Sequence, residues 1–289
     1  MRSLPFTWGT RTYVMGILNL TPDSFSGDGL LGNLSGLADL TGLSQARRFI
    51  AAGADILDIG GESTRPGAEA VSADEELGRV LPVVRALAEN FPDTTISIDT
   101  YKAAVAEAAL DAGARMVNDV WGLRADPAMA PLIAARGVPV IIMHNRLTPN
   151  SAEVRERLGG RYVGVAYDNL IEDTKSELME SVAIAHAAGV RDEQVILDPG
   201  IGFGKTVAQN LELLNRLGEF RALGYPLLIG TSRKSFIGYT LDLPPTERLE
   251  GTAATIAIGI ARGADVIRVH DVAHMVRVAR MTDAIVRPR

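Results

Sequence analysis

The chain has 289 residues and a formal net charge of −6; 47% of it is hydrophobic, 22% charged and 5% aromatic. So much apolar material at so low a net charge excludes a disordered chain, and the acidic balance excludes nucleic-acid binding by bulk phosphate attraction. There is no cysteine, which excludes disulfides and thiolate chemistry, and four histidines (His144, His186, His270 and His274) leave little room for a multi-histidine zinc site.

The first residues lack the apolar run of a signal peptide, and no stretch reaches about 18 uninterrupted apolar residues. No membrane span is expected, and the expected location is the cytoplasm. Along the chain, eight short β-type runs alternate with helical patterns. The runs are 13–19 (YVMGILN), 55–60 (DILDIG), 95–99 (TISID) and 116–120 (MVNDV), then 139–144 (PVIIMH), 195–198 (VILD), 226–230 (PLLIG) and 266–270 (VIRVH). Helical spacing occupies 73–90, 101–112, 127–136, 167–188, 208–223, 247–262 and 271–284. Several helices meet a glycine just before the next strand: Gly53, Gly113, Gly137, Gly189, Gly224 and Gly263. Glycine accepts the left-handed conformation that ends a helix. Apolar runs with little alternation indicate strands buried on both faces, as in a parallel sheet. Eight βα units in a chain of this length predict an α/β fold, a (β/α)8 TIM barrel, as a single domain over 1–289. A doubly wound open sheet is the alternative. Residues 145–164 read as a long polar loop, and 27–42, rich in Gly, Leu and Ser, as a mobile one.

The ends of the predicted strands collect polar groups. They are Asn19, Asp58 leading into GGESTRPG, Asp99-Thr100, Asn118-Asp119, His144-Asn145, Asp198-Pro199-Gly200, the GTSRKS run 230–235, and Arg268 with His270-Asp271. A lone Asp or Asn at such a place is usually a helix cap. Eight polar ends that meet at one barrel mouth describe an active site. Asp99, Asn118 and Asp198 supply short donors and acceptors suited to a flat amino-pyrimidinone heterocycle. Arg65, Lys234, Arg268 and His270 form a basic half suited to phosphate, and Ser232 and Ser235 add donors near the following helix. The glycines of DPGIGFGKT (198–206) crowd the mouth, yet the segment is neither GxxxxGK[ST] nor GxGxxG. Lys205 reads as a rim charge, and Asp58 as a structural residue under the second loop.

These motifs together resemble the bacterial dihydropteroate synthases of the folate pathway. The resemblance rests on MGILNLTPDSFS (15–26), DIGGESTRPGA (58–68), SIDTYK (97–102), NDVWG (118–122), DPGIGFGKT (198–206), GTSRKSFIG (230–238) and RVHDV (268–272). It implies a barrel that joins 6-hydroxymethyl-7,8-dihydropterin diphosphate to 4-aminobenzoate and releases pyrophosphate. By the same resemblance, the pterin contacts match Asp99, Asn118, Asp198, Lys234 and Arg268. The diphosphate contacts match Asn19, Thr64, Arg268 and His270, with Mg²⁺ on Asn19 and the diphosphate oxygens. The aminobenzoate pocket, which also receives sulfonamides, matches Phe25, Thr64, Arg65, Pro66, Phe203, Lys234 and Ser235. Asp99, Lys234 and Arg268 are the implied catalytic residues. Two loops, 21–42 and 61–71, are implied to close over the reacting groups. The first reads SFSGDGLL where the family usually has SFSDGG, and MHNRLTPN stands where MHMxG is commoner; no contact is carried over to His144 or Asn145.

The helical stretch 247–262 (ERLEGTAATIAIGIAR) is apolar nearly all round and rich in small residues, so burial on more than one side is expected. The resemblance adds a homodimer through the last two helices. Two other classes share parts of the pattern. A pterin-binding methyltransferase would not need the basic set of Arg65, Lys234, Arg268 and His270. A non-catalytic pterin-binding paralogue would bind ligand without releasing pyrophosphate.

Overall fold

The computed structural model describes residues 6–20, 37–63, 71–146, 152–155, 157–163 and 166–287. The eight apolar runs become eight parallel strands. They are β1 (Tyr13–Asn19), β2 (Ile56–Gly60), β3 (Thr95–Asp99), β4 (Met116–Asp119), β5 (Val140–Met143), β8 (Val195–Asp198), β9 (Leu228–Ile229) and β10 (Val266–Val269). The hydrogen-bonded order is β8-β5-β4-β3-β2-β1-β10-β9. A parallel bridge between Leu197 and Leu227, with Leu197 N–H donating to Pro226 O at 2.9 Å, joins the two ends. The predicted TIM barrel is thereby established in preference to an open sheet.

Helices follow the strands: α1 (Leu37–Ala52), α2 (Ala73–Asn90), α3 (Ala103–Asp111), α4 (Met129–Arg136), α5 (Leu170–Ala187), α6 (Val207–Asn215), α7 (Ser235–Leu241), α8 (Leu249–Ala261) and α9 (Val272–Val286). Side-chain oxygens of Ser72, Asn169 and Thr206 accept from backbone N–H groups in the first turns of α2, α5 and α6, satisfying donors that a helix start leaves orphaned. All six expected stop glycines have positive φ. No helix among the described residues is long and apolar enough to cross a membrane.

Strand side chains alternate between two cores. Outward residues such as Val14, Leu57, Ile98, Val117, Ile142 and Ile267 pack against the helices. Inward residues Tyr13, Met15, Ile56, Met116, Ile141, Ile196, Leu228 and Val266 fill the barrel. Phe6 and Trp8 pack beneath them, with ring centroids 4.5 and 5.6 Å from that of Tyr13. The barrel is thus plugged at its floor, and among the described residues the pocket that enters its interior opens at the upper end.

Three readings need correction. The stretch 27–42 is not wholly loop, because α1 begins at Leu37; Gly42 passes so close to Val83 of α2 that an added Cβ would lie 3.3 Å from it. Helix packing here outweighs the low helix propensity of glycine. The polar segment 145–164 contains an antiparallel hairpin, β6 (Ala152–Arg155) with β7 (Gly159–Tyr162). It is tied to the barrel when Tyr239 donates to Gly159 O at 3.1 Å and Arg248 to Leu158 O at 3.0 Å, tertiary contacts that leave no local signal. The helical stretch 208–223 is broken at Arg216, with α6 before it and a 3₁₀ segment, Leu217–Leu223, after it. Gly218 and the backbone of Arg216 (φ −100°, ψ 12°) interrupt the α-helical ladder there.

Candidate active site

Each inward-facing position recurs two residues further up its strand. Two steps beyond Ile56, Met116, Ile196 and Val266 stand Asp58, Asn118, Asp198 and Arg268. The apolar filling of the barrel therefore gives way to polar side chains at the same angular positions, one layer higher. Asp99, at the end of β3, lies in register with Gly60 on one side and Asn118 on the other. One pocket at the mouth is lined by Asp99, Asn118, Asp198, Phe203, Lys234, Arg268 and His270, with Ile17, Val120 and Met143 adding apolar surface.

Two carboxylates share one guanidinium at the base of this pocket. Arg268 Nε donates to Asp58 Oδ2 at 2.6 Å, and its Nη2 to Asp99 Oδ2 at 2.5 Å. Asn118 also donates to Asp58 Oδ2, at 3.1 Å. Asp58 is wholly buried, and its Oδ1 has no hydrogen-bond partner. Burial opposes the Arg268 charge, but the carboxylates of Asp58 and Asp99 outweigh it and raise its pKa. One cation cannot neutralise both acids. Asp99, disfavoured as an anion by burial and by Asp58 despite Arg268, is pushed up to about 7. Asp198 is also raised by burial, against the opposing pull of the Gly200 N–H, which donates to its Oδ1 at 2.8 Å, and of Lys234 and Lys205.

The opposite wall is basic. The Lys234 ammonium lies 3.8 Å from the centroid of the Phe203 ring, a cation–π contact. Gly202 makes this approach feasible, since a Cβ there would lie 2.5 Å from the Lys234 side chain. Lys234 caps α7 from an extended conformation, after Arg233 in the left-handed region at φ 57°. That turn is braced by Arg248, which donates to Arg233 O at 2.9 Å, and by paired hydrogen bonds from Arg233 to Asp271. Ser232 Oγ accepts from the His270 backbone N–H at 3.1 Å and lies equally far from its ring Nδ1.

Comparison with known proteins agrees with this arrangement. Residues 15–270 match the model of the pterin binding enzyme family. The dihydropteroate synthase of Clostridium beijerinckii is 51% identical over 99% of this chain and 98% of its own length. The chain belongs to the dihydropteroate synthase family of pterin-binding enzymes. A solved dihydropteroate synthase from Clostridium difficile, determined in the presence of pteroic acid, is 49% identical with a TM-score of 0.85 and covers 97% of this chain and 98% of that one. The Yersinia pestis dihydropteroate synthase, solved with a sulfonamide drug, is 40% identical with a TM-score of 0.86, covering 99% and 98%. The chain is accordingly a transferase of folate synthesis, as its motifs implied.

Within this dihydropteroate synthase fold, the predicted site residues fall into three groups. Asp99, Asn118, Asp198, Phe203, Lys234, Arg268 and His270 line the pocket. Asn19 ends β1 beside Gly60, two residues beyond Ile17 of that lining, and Ser235 begins α7, one residue beyond Lys234; both are half-buried. Phe25, Thr64, Arg65 and Pro66, with most of the two expected loops, lie outside the described residues. Lys205 is not a rim charge: it is 1% exposed, beneath the glycine-rich loop. Asp58, read as a structural hydrogen-bonding residue, is buried below the pocket lining and holds Arg268 and Asn118. Its position two residues above Ile56 was the available signal. Arg248, at the start of α8, and Glu177, in α5 and hydrogen-bonded to His144, were missed, because each acts through contacts far apart in sequence.

Proposed function

We propose that the mouth pocket holds 6-hydroxymethyl-7,8-dihydropterin diphosphate and presents it to 4-aminobenzoate. The observation that carries this reading is the convergence of Asp99, Asn118 and Asp198 with Lys234 and Arg268 in one pocket. The carboxylates and the amide meet the N–H and carbonyl edge of the pterin. The Arg268 guanidinium stacks on the ring and reaches the diphosphate, together with His270, Asn19 and Thr64. Phe203, Lys234 and Ser235, with Phe25, Thr64, Arg65 and Pro66, border the aminobenzoate. Sulfonamides occupy the same place.

Among the described residues no group of three or more His, Asp or Glu side chains gathers around one point. The neutral amide of Asn19 at the mouth fits a Mg²⁺ that keeps mostly diphosphate oxygens and water as ligands. Bound there, Mg²⁺ would supply positive charge to the leaving group. The chain's own residues do the rest. Asp99, ionised beside the pterin, stabilises the methylene cation that forms as the C–O bond to diphosphate breaks. Arg268 and His270 hold the departing pyrophosphate. The aminobenzoate nitrogen then attacks the methylene carbon, and the resulting ammonium loses its proton without a strong general base.

The chain acts as one barrel unit and as a cytoplasmic homodimer. In support of the dimer, α8 and α9 leave Ile258, Met281 and Ile285 exposed, on the pair of helices expected to pair. Pyrophosphate release by the purified protein is the direct test. Release that requires the pterin diphosphate, Mg²⁺ and 4-aminobenzoate, and that is lost in Lys234→Ala, is the expected result. Ligand binding without release would favour a binding paralogue.

A further inference from the structure

Beneath the mouth, a lysine is buried without any direct line to the reacting groups. Lys205 Nζ lies 2.9 Å from His144 Nδ1 and 3.1 Å from each of the carbonyls of Gly200 and Phe203. An ammonium has three N–H donors, and here it meets three acceptors. His144 Nδ1 therefore carries no proton, and its Nε2 donates to Glu177 Oε2 at 3.0 Å. Glu177 is in turn held by Arg146 Nε at 2.7 Å. The Arg146 guanidinium lies 4.2 Å from the centroid of Tyr167, whose hydroxyl donates to Gly204 O at 3.2 Å. The chain of contacts thus begins and ends on the same loop.

That loop lies closely against the segment after β5. An added Cβ at Gly200 would lie 1.9 Å from His144 O, and one at Gly204 would lie 2.7 Å from Arg146 O. Residues 200–204 are therefore pressed onto the backbone that follows β5. From the other side, Asn210 accepts from Gly202 N–H at 2.6 Å and donates to Lys205 O at 3.1 Å. Burying a lysine ammonium is expensive, and an apolar side chain of similar volume would fill the space at lower cost. What the ammonium adds is a directional grip on the carbonyl of Phe203, the residue whose ring faces Lys234.

We propose that Lys205 is a positioning residue: with His144 and Glu177 it holds the backbone of residues 200–204 so that Phe203 stays against the Lys234 ammonium. It thereby sets the affinity for 4-aminobenzoate without touching it. The inference rests on the reading above that Phe203 and Lys234 border that substrate. The pterin side has further anchors of its own. Asn118 is fixed by the strand register, and Asp198 by a hydrogen bond from His144 N–H to its own carbonyl, at 2.9 Å, beside the 2.8 Å bond its Oδ1 accepts from Gly200 N–H of the gripped loop.

The test is steady-state pyrophosphate release by the full-length protein, with each substrate varied in turn, for wild type, Lys205→Met and Glu177→Gln. Lys205→Met is expected to raise the KM for 4-aminobenzoate about tenfold, while kcat stays within about twofold and the KM for the pterin diphosphate, whose contact Asp198 is bonded to Gly200, rises no more than about threefold. Glu177→Gln keeps the size of the side chain and weakens only the middle of the chain of contacts, the links to His144 and Arg146. It is expected to move the same KM about threefold in the same direction. If both KM values rise equally, if kcat alone falls, or if nothing changes, Lys205 is only a packing element and the proposal is overturned. Should Lys205→Met not fold, Glu177→Gln decides alone, and an unchanged aminobenzoate KM overturns the proposal. Absence of release by the wild type is a different failure, that of the site reading itself.

Discussion

The two ends of the same eight strands obey opposite rules. At the floor, Tyr13, Ile56, Met116, Ile141, Ile196, Leu228 and Val266 fill the barrel with apolar side chains, and Phe6 and Trp8 pack beneath. At the mouth, two residues further along several of those strands, stand Asp58, Asn118, Asp198 and Arg268. Interior packing stabilises the floor through area removed from water. The mouth instead buries charges that are only partly matched: among the described residues Asp58 Oδ1 lacks a partner, and one guanidinium serves two carboxylates. Such a layer adds little to stability, but it holds polar groups in place before a ligand arrives, as a binding site requires. One pleat of the strand separates the part that makes the barrel stable from the part that makes it selective.

This contrast can be broken at either end. The largest effect on activity is expected at the mouth. Arg268→Ala removes the shared cation, so pyrophosphate release should fall by about 10³-fold. Two buried carboxylates are then left unpaired, and unfolding in urea should show a loss of about 3 kcal/mol near neutral pH.

A smaller effect is expected from pH. With Asp99 pushed up to about 7, kcat/KM should rise about tenfold between about pH 6 and about pH 8 as its carboxylate ionises. Stability should move the other way. The folded state keeps a proton that the unfolded chain has already released from about pH 4 upward. The stabilising contribution of Asp99 is therefore complete below about pH 4 and lost as pH rises through about 7. Asp99→Asn should flatten both profiles; urea midpoints and rates measured across that range check the two signs.

The smallest effect on activity is expected at the floor. Met116→Ala opens a cavity in the fully buried inner core, so stability should fall by about 2–5 kcal/mol. Its kcat should stay within about twofold of wild type, since Met116 lies one layer below the pocket. If the floor variant lost activity in step with Arg268→Ala, the division between the two layers would be wrong.

The sequence made the barrel legible because its signals are local. Eight apolar runs, a glycine after each of six helices and a polar residue at each strand end are readable within a few residues. Four of the expected site residues, Asp99, Asn118, Asp198 and Arg268, line one pocket for the same reason: period-two alternation places each on the inner face once the strand is known. The hairpin of β6 and β7 was not legible, since short polar strands carry little periodic signal and are anchored by Tyr239 and Arg248 from other elements. Lys205 shows the same limit in a single residue. A lysine after a glycine-rich loop reads as a surface charge, and only the presence of His144, Gly200 O and Phe203 O around its Nζ explains its burial.

By itself, the sequence determined the order of elements, the face each strand presents to the barrel interior and the chemistry gathered at the mouth, all of which depend on residue type and spacing along the chain. Only the tertiary structure decided that Arg268 is shared by Asp58 and Asp99, that Asp58 supports Arg268 and Asn118, and that Lys205 grips the loop bearing Phe203. Those outcomes depend on distances between residues up to 210 positions apart, and burial and charge neighbours are properties of the packed barrel, not of any segment read alone.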